Sequence, residues 1–240
     1  MAMSRREFLA AAAAAPLAAP MRASAARQEP APPPTRTGRQ PLNLGETPDR
    51  DGFVYVPASY KADTPAPILL MLHGAGSTAL STGYAFPLAD EFGILLVAPD
   101  SRDERTWDGV LLNWGPDVEF IAAAMQQTLA RFKVDRSHAG VCGFSDGASY
   151  ALSFGISFGD QFSRVIAMSP GVMQPIEARG KPKIFISHGT ADQTMPIDVT
   201  SRRFVPRLQA LGYDVTYREY EGRHSPSPPI VREAFEWFLK

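Results

Sequence analysis

A serine flanked by glycines stands between an apolar run and a helical pattern. Ser145 is the centre of the Gly-x-Ser-x-Gly sequence at 143–147, with the apolar stretch 139–142 before it and the stretch 148–154 after it. The order strand, tight turn, helix lifts the hydroxyl above the end of a sheet and aims helix N–H groups at any oxyanion formed beside it. We therefore predict a nucleophilic serine. The alternative is a glycine-rich turn without chemistry, because the pentapeptide also occurs by chance.

A serine hydroxyl is a weak nucleophile and needs a general base, for which the chain offers four histidines. His73 follows a predicted strand in the glycine-rich sequence at 73–76, whereas His138 and His188 lie at the ends of predicted strands, where structural roles are expected. His224 lies in a loop between the last predicted strand and the terminal helix. Because that loop can lean over the sheet edge towards the serine, we predict that His224 is the base.

The base needs a carboxylate that fixes its tautomer and stabilises the imidazolium. Asp192 supplies one in the turn after a predicted strand, which gives the chain order serine, aspartate, histidine. Asp198 is a weaker candidate, since it resembles a helix-capping residue. Glu219 and Glu221 are too close in sequence to the histidine to be preferred.

Two N–H donors are needed to stabilise the oxyanion of a tetrahedral intermediate. The residue after the serine, Asp146, offers its backbone N–H, while its side chain is expected to be incidental to the chemistry. The glycine-rich loop 73–76 offers the second donor, for which Ala75 is our candidate.

Three residues near these loops are predicted substrate contacts. Gly74 lies in the oxyanion loop, and Trp107 and Trp114 lie in the long irregular stretch 99–116. Long loops at the carboxyl ends of strands often carry substrate contacts in α/β folds. For the two tryptophans, packing over the sheet edge is an equally weighted alternative.

The composition is that of one sizeable globular domain. The chain has 240 residues, of which 45% are hydrophobic, and a formal net charge of −1. This balance provides neither a basic surface for nucleic acid nor an acidic block for a cationic partner. The single cysteine, Cys142, excludes an intramolecular disulfide and a cysteine-rich metal site, and its apolar context predicts a core residue. The predicted chemistry needs no metal or cofactor.

The N-terminus resembles the twin-arginine export signal of bacteria. Residues 4–9 contain paired arginines followed by phenylalanine and leucine, and an alanine-rich run leads to the Ala-Ser-Ala sequence at 23–25. We predict a cleaved signal over 1–25, a flexible Pro/Ala-rich leader over 26–40 and a folded domain over 41–240. The protein would then be periplasmic or secreted. An uncleaved anchor is the alternative, although the run is too short and too weakly apolar for a stable membrane span.

Strand and helix patterns alternate through the predicted domain, which favours an α/β fold with a mostly parallel sheet and helices on both faces. About fifteen residues separate the strand that ends at Met168 from the one that begins at Ile184, too few for a cap domain. We therefore expect an open, shallow site. The predicted strands lie at 53–56, 68–72, 94–98, 139–142, 165–168, 184–187 and 215–217, and the helices near 84–92, 117–132, 146–158, 198–211 and 229–239.

These motifs together resemble the compact, capless carboxylesterase/phospholipase-like branch of the α/β-hydrolase superfamily. That branch includes acyl-protein thioesterase-type esterases and relatives of polyhydroxybutyrate depolymerases and feruloyl esterases. The segments that carry the resemblance are 72–76, 98–102, 143–147, 187–192 and 222–224. The resemblance implies the α/β-hydrolase fold and a serine esterase that cleaves small-molecule or polymeric carboxylic esters with a Ser-His-Asp triad.

One residue departs from the pattern of this branch. Arg223 stands before the predicted base, where such sequences usually carry a second glycine. We hypothesise that its charge biases the site towards anionic or polar esters.

Two other functions compete with ester hydrolysis. A peptidase or amidase would use the same triad. A non-catalytic binding protein that kept the fold is the alternative from a different class, and the complete triad argues against it, because a decayed site should lose a member.

Overall fold

The computed structural model describes residues 36–45 and 50–240, so the predicted signal and the leader as far as residue 35 lie outside the described residues. Eight strands form one sheet with the order β1-β2-β4-β3-β5-β6-β7-β8. They are β1 (Gly38–Pro41), β2 (Gly52–Val56), β3 (Ala66–Leu72), β4 (Leu95–Pro99), β5 (Val134–Phe144), β6 (Arg164–Met168), β7 (Lys183–Gly189) and β8 (Val215–Tyr220).

Five α-helices are described: α1 (Phe86–Phe92), α2 (Pro116–Arg131), α3 (Asp146–Ser157), α4 (Ser201–Ala210) and α5 (Pro228–Phe238). Short 3₁₀ helices span Ala79–Ala85, Asp108–Leu111 and Ile197–Val199. None of the helices in the described part of the chain has the length and hydropathy that a membrane crossing requires.

The sheet is parallel from β4 to β8, and β2 runs antiparallel to both β1 and β4. Alternate residues of β3 face two separate apolar clusters, as expected of a strand buried on both sides. Ile68, Leu70 and Leu72 pack in the cluster that includes α2, α3 and α4, whereas Leu69 and Met71 pack in the one that includes α1 and α5. The predicted mostly parallel sheet with helices on both faces is confirmed.

The sheet begins at Gly38, three residues before the predicted start of the domain at Pro41. Residues 38–41 pair with β2 as an antiparallel edge strand. Leu42, which follows, is buried, and its carbonyl accepts a hydrogen bond of 2.8 Å from Gln127 Nε2. The end of the predicted leader therefore belongs to the fold.

The connection between β6 and β7, residues 169–182, is described throughout and contains no helix. Three serines one helical turn apart on α3 hold it by accepting hydrogen bonds from its backbone. Ser149 Oγ accepts from two N–H groups at 2.8 and 3.1 Å, Ser153 Oγ from one at 2.9 Å and Ser157 Oγ from one at 3.0 Å. This short, fixed connection therefore contains no cap domain, as its length predicts.

Cys142 is fully buried in β5, and burial raises the pKa of its thiol. The prediction that it is a core residue is confirmed.

Candidate active site

A sharp turn at Ser145 joins β5 to α3. Ser145 has φ 59° and ψ −124°, a conformation that residues other than glycine seldom adopt. Its N–H donates to Met168 O at 3.0 Å, which ties the turn to β6. A Cβ at Gly143 would lie 2.1 Å from Gly147 O in the first turn of α3, and one at Gly147 would lie 2.2 Å from Leu72 O. Both glycines are therefore required by the close approach of the chain segments.

Three loops at the carboxyl edge of the sheet bring the predicted triad together. Ser145 follows β5, Asp192 follows β7 and His224 follows β8. The His224 ring lies between the other two side chains, with Nε2 2.8 Å from Ser145 Oγ and Nδ1 2.6 Å from Asp192 Oδ2. An ionised carboxylate can only accept a hydrogen bond, so the proton of the neutral ring is on Nδ1. Nε2 is then free to accept the proton of the serine hydroxyl.

The side chain of Asp192 is completely buried and fully hydrogen-bonded. Its Oδ1 accepts from the N–H groups of Thr194 and Met195 at 2.9 and 2.8 Å, and its Oδ2 accepts from His224. Burial by itself raises the pKa of Asp192, but the hydrogen bonds from Met195 and His224 outweigh burial and place the pKa below its usual range. The acid is therefore held ionised beside the imidazole.

His73 organises the loop that follows β3. Its Nε2 accepts from the N–H of Ser101 at 3.0 Å, so Nδ1 carries the proton and donates to Gly74 O at 2.8 Å. Its carbonyl accepts from Trp107 Nε1 at 2.8 Å. Burial lowers the pKa of His73, in keeping with a neutral ring. His73 therefore has a structural role in this loop.

The loop after β3 passes close to the serine. A Cβ at Gly74 would lie 3.5 Å from Ser145 Cβ. The N–H of Gly76 donates to Arg105 O at 2.7 Å and is therefore already used, while Ala75 is exposed in the same turn. The backbone N–H groups of Ala75 and Asp146 as oxyanion donors, and Gly74 as a substrate contact, stay predictions.

The side chain of Asp146 has a role that the sequence analysis did not anticipate. Thr106 Oγ1 donates to Asp146 Oδ2 at 2.6 Å and so joins the loop after β4 to the turn that carries the serine. The carboxylate, which was expected to be incidental to the chemistry, links two loops of the site. The chain offers no local signal for this contact, because the two residues are 40 positions apart.

The prediction that Trp107 contacts substrate is wrong. Trp107 is fully buried, and its ring packs between His73 and Tyr150 with centroids 4.7 and 5.2 Å away. Trp114 is half-buried and packs against the same Tyr150 ring at 4.9 Å. The loop after β4 needs an apolar interior of its own, and the tryptophans supply it. The structure supports the packing alternative for Trp107, whereas a substrate contact of the half-buried Trp114 stays a prediction.

Two buried carboxylates, which the sequence analysis missed, fix the same loop. Asp108 Oδ2 accepts from the N–H groups of Gly115 and Asp117 at 2.9 Å each. Asp117 in turn accepts from the N–H groups of Arg102 at 2.5 Å and Asp108 at 2.7 Å. Burial raises the pKa of Asp108, and it raises the pKa of Asp117 to about 6.

The remaining candidates lie away from the serine or on the surface. His138 Nδ1 contacts Asp135 at 2.7 Å. Asp198 and Glu219 both pair with Arg202, at 2.7 and 2.6 Å. Glu221 and Arg223 are exposed. Within residues 36–45 and 50–240, no cluster of three or more histidine, cysteine, aspartate or glutamate side chains is arranged to hold a metal ion.

Comparison with known proteins places this site in a family. The model of the phospholipase/carboxylesterase family matches residues 118–239, just over half of the chain. The probable feruloyl esterase C of Aspergillus oryzae is 25% identical over 173 residues, which cover 67% of this chain and 63% of that protein. The probable feruloyl esterase C of Aspergillus niger is 27% identical over 154 residues, covering 62% and 57%. The chain thus spans less than two thirds of the length of these relatives.

Solved structures share the fold at low sequence identity. Esterase PE8 superposes with a TM-score of 0.64 at 20% identity, covering 78% of this chain and 97% of its own. The phospholipase/carboxylesterase of Dyadobacter fermentans gives 0.58 at 19%, covering 80% and 98%. A ferulic acid esterase of Anaeromyces mucronatus, solved with ferulic acid, gives 0.57 at 19%, covering 79% and 84%. With its fold, its serine turn and the family match, the chain belongs to the phospholipase/carboxylesterase family of α/β-hydrolases.

Proposed function

We propose that this protein is a serine esterase that cleaves carboxylic esters through an acyl-enzyme intermediate. The observation that carries the proposal is the continuous hydrogen-bonded chain from Ser145 Oγ through His224 to Asp192, with contacts of 2.8 and 2.6 Å. Membership of the phospholipase/carboxylesterase family supports the same reaction.

In the acylation step, Ser145 Oγ attacks the ester carbonyl carbon while His224 Nε2 takes the hydroxyl proton. The electrons of the carbonyl double bond move onto its oxygen, where the N–H groups of Ala75 and Asp146 stabilise the charge. When the tetrahedral intermediate collapses, the bond to the alcohol oxygen breaks and His224 returns the proton to the leaving alcohol. The carboxylate of Asp192 orients the ring and stabilises the imidazolium without taking the proton.

Deacylation repeats these steps with water as the nucleophile. His224 Nε2 removes a proton from water, which attacks the acyl carbon, and the collapse of the second intermediate returns the proton to Ser145 Oγ. The free acid leaves and the triad is restored. Apart from the substrate and water, each step uses groups of the chain itself.

The short connection after β6 and the names of the relatives support a proposal for the substrate class. Residues 169–182 form a fixed connection and not a helical cap, so the carboxyl edge of the sheet can accept extended esters. The curated relatives carry the name feruloyl esterase C. We therefore infer that aryl and polymer-linked carboxylic esters are substrates, with hydroxycinnamoyl esters as the first group to test.

A panel of esters tests the proposal. It should contain p-nitrophenyl esters of graded acyl length, methyl ferulate and a feruloylated polysaccharide, each assayed with the parent protein and with Ser145→Ala. We expect hydrolysis by the parent and none above background by the variant. Anilides of the same acids separate an esterase from a peptidase or amidase, because faster cleavage of the anilides would favour the latter.

Export by the twin-arginine pathway to the periplasm or the medium is a further part of the proposal. It is supported by the paired arginines at residues 5 and 6 and by the Ala-Ser-Ala sequence at 23–25. The mass of the protein recovered after expression in a bacterium with this pathway tests it. Loss of about the first 25 residues is expected, and a full-length mass would contradict cleavage.

A further inference from the structure

We propose that His188 is a positioning residue for the triad acid, because its buried imidazole fixes the turn at 192–195 and flanks the carboxylate oxygen that receives the His224 N–H. The inference rests on the proposed function, since it gives His188 a part in the esterase reaction. His188 was expected only to be structural at the end of its strand.

The imidazole of His188 lies beside the carboxylate of Asp192. Its Nε2 is 2.7 Å from Met195 O and 3.3 Å from Asp192 Oδ2, and its Nδ1 is 2.7 Å from Ser201 Oγ. The side chains of His188 and Asp192 have no exposed surface. Oδ2 of the carboxylate thus contacts two imidazoles, and that of His224 is the one hydrogen-bonded to the serine.

The hydrogen-bond partners determine the protonation of the ring. A carbonyl oxygen can only accept, so the contact with Met195 O requires a proton on Nε2 of His188. In the neutral ring Nδ1 then accepts from the hydroxyl of Ser201. Burial lowers the pKa of His188, which agrees with a neutral ring. The charged groups that face it are Asp192 and, on the neighbouring strand β8, Glu219.

One residue, Met195, connects the imidazole to Oδ1 of the acid. The N–H of Met195 donates to Asp192 Oδ1 at 2.8 Å, and the carbonyl of Met195 accepts from His188 Nε2. The imidazole therefore fixes Met195, whose N–H binds Oδ1, and its own Nε2 lies 3.3 Å from Oδ2. If this support is removed, the carboxylate can rotate away from His224 Nδ1, and the base loses the partner that fixes its tautomer.

A positioning role and a packing role lead to different kinetics. Loss of packing lowers the fraction of folded protein and leaves the turnover of each folded site unchanged. Loss of positioning lowers kcat of the folded sites and leaves KM unchanged, because a fully buried His188 cannot touch the substrate.

The variants His188→Gln and His188→Asn form a matched pair that differ by one methylene. The glutamine amide can place an N–H near the position of Nε2, whereas the asparagine amide reaches only the position of Nδ1. Activity should be measured on p-nitrophenyl acetate per active site, with sites counted by a fluorophosphonate. We expect kcat of the asparagine variant to fall about tenfold or more with KM unchanged, and the glutamine variant to recover most of the loss. Ile186→Val, a buried change on the same strand, is the control and should keep the parental kcat.

Parental kcat in folded His188→Asn would overturn the inference and leave the esterase proposal intact. A parent protein that neither hydrolyses esters nor reacts with the fluorophosphonate would overturn both. If the histidine variants do not fold, Ser201→Ala tests the positioning role instead, because it removes the hydroxyl that binds Nδ1 of the His188 ring. A severalfold lower kcat at constant KM supports the positioning role, and an unchanged kcat contradicts it.

Discussion

The hydroxyl of Thr106 donates a hydrogen bond of 2.6 Å to the carboxylate of Asp146, the residue that follows the proposed nucleophile. The next residue, Trp107, donates to the carbonyl of His73 at the start of the other oxyanion loop. Two adjacent residues of one loop thus contact both segments that supply the proposed oxyanion donors. The loop after β4 therefore links the two segments that would form the proposed oxyanion hole.

Removing the hydroxyl of Thr106 should weaken transition-state stabilisation. In Thr106→Val the Asp146 carboxylate loses its donor, and we expect kcat to fall about tenfold with a smaller change in KM. Steady-state kinetics on a p-nitrophenyl ester measure this effect. Thr106→Ser keeps the hydroxyl and should remain within about threefold of the parent. Equal activity of the valine and serine variants would show that this link does not affect the reaction.

Asp192→Asn tests the assignment of the acid. The asparagine can present an N–H to His224 or favour the wrong tautomer of the ring, so kcat should fall on the order of 10⁴-fold. Asp198→Asn changes the weaker candidate, whose side chain is exposed and paired with Arg202, and should leave kcat unchanged. Kinetics of the two variants, each checked for folding by circular dichroism, provide the comparison. Loss of activity at position 198 and not at 192 would reverse the assignment.

Gly147→Ala should disrupt the serine turn. The new Cβ would lie 2.2 Å from Leu72 O and 2.6 Å from His73 O. Because these are backbone atoms, the contact can be relieved only if β3 or α3 moves. We expect a loss of about 3 kcal/mol or more in the free energy of unfolding, measured with urea. Gly83→Ala is the control, because its Cβ would meet only ring atoms of Phe86, at 3.4 Å or more. A tolerated alanine at 147 would contradict the close approach.

Asp117 should make the stability of the protein fall as the pH rises. Its folded-state pKa of about 6 lies above the usual 3.8, so the unfolded chain releases this proton first. The contribution of Asp117 to the free energy of unfolding is fully present below about pH 4. Between about pH 4 and pH 6 the free energy of unfolding falls by up to about 3 kcal/mol. Urea unfolding of Asp117→Asn across this range should show a flatter pH dependence than the parent. Asp63→Asn, at an exposed carboxylate, should keep the parental dependence, and a parental slope in Asp117→Asn would contradict the assignment.

The sequence predicted the elements with strong local patterns. Seven strands have apolar runs, and each was expected near its observed position, whereas β1 has the sequence Gly-Arg-Gln-Pro and no such run. It becomes a strand because β2 pairs with it, which is a tertiary cause. The five helices, each with an apolar face or a clear start, were also expected.

The geometry of the site was predictable only where a motif encodes it. The serine turn, the order of the triad and the glycine-rich loop have sequence patterns, and the structure brings Ser145, Asp192 and His224 within hydrogen-bond distance. The contact of Thr106 with Asp146 joins residues 40 positions apart and has no such pattern. The burial of Trp107 likewise depends on how the loop after β4 folds back on the sheet.

Covalent labelling by a fluorophosphonate tests the central claim most directly. A nucleophilic Ser145 should react once per chain, and mass spectrometry of the digested protein should place the adduct on the peptide that contains residues 143–147. Ser145→Ala should remain unlabelled and lose ester hydrolysis by at least about 10⁴-fold while keeping its fold. An adduct at another residue, or a Ser145→Ala protein that still hydrolyses esters at the parental rate, would contradict the account.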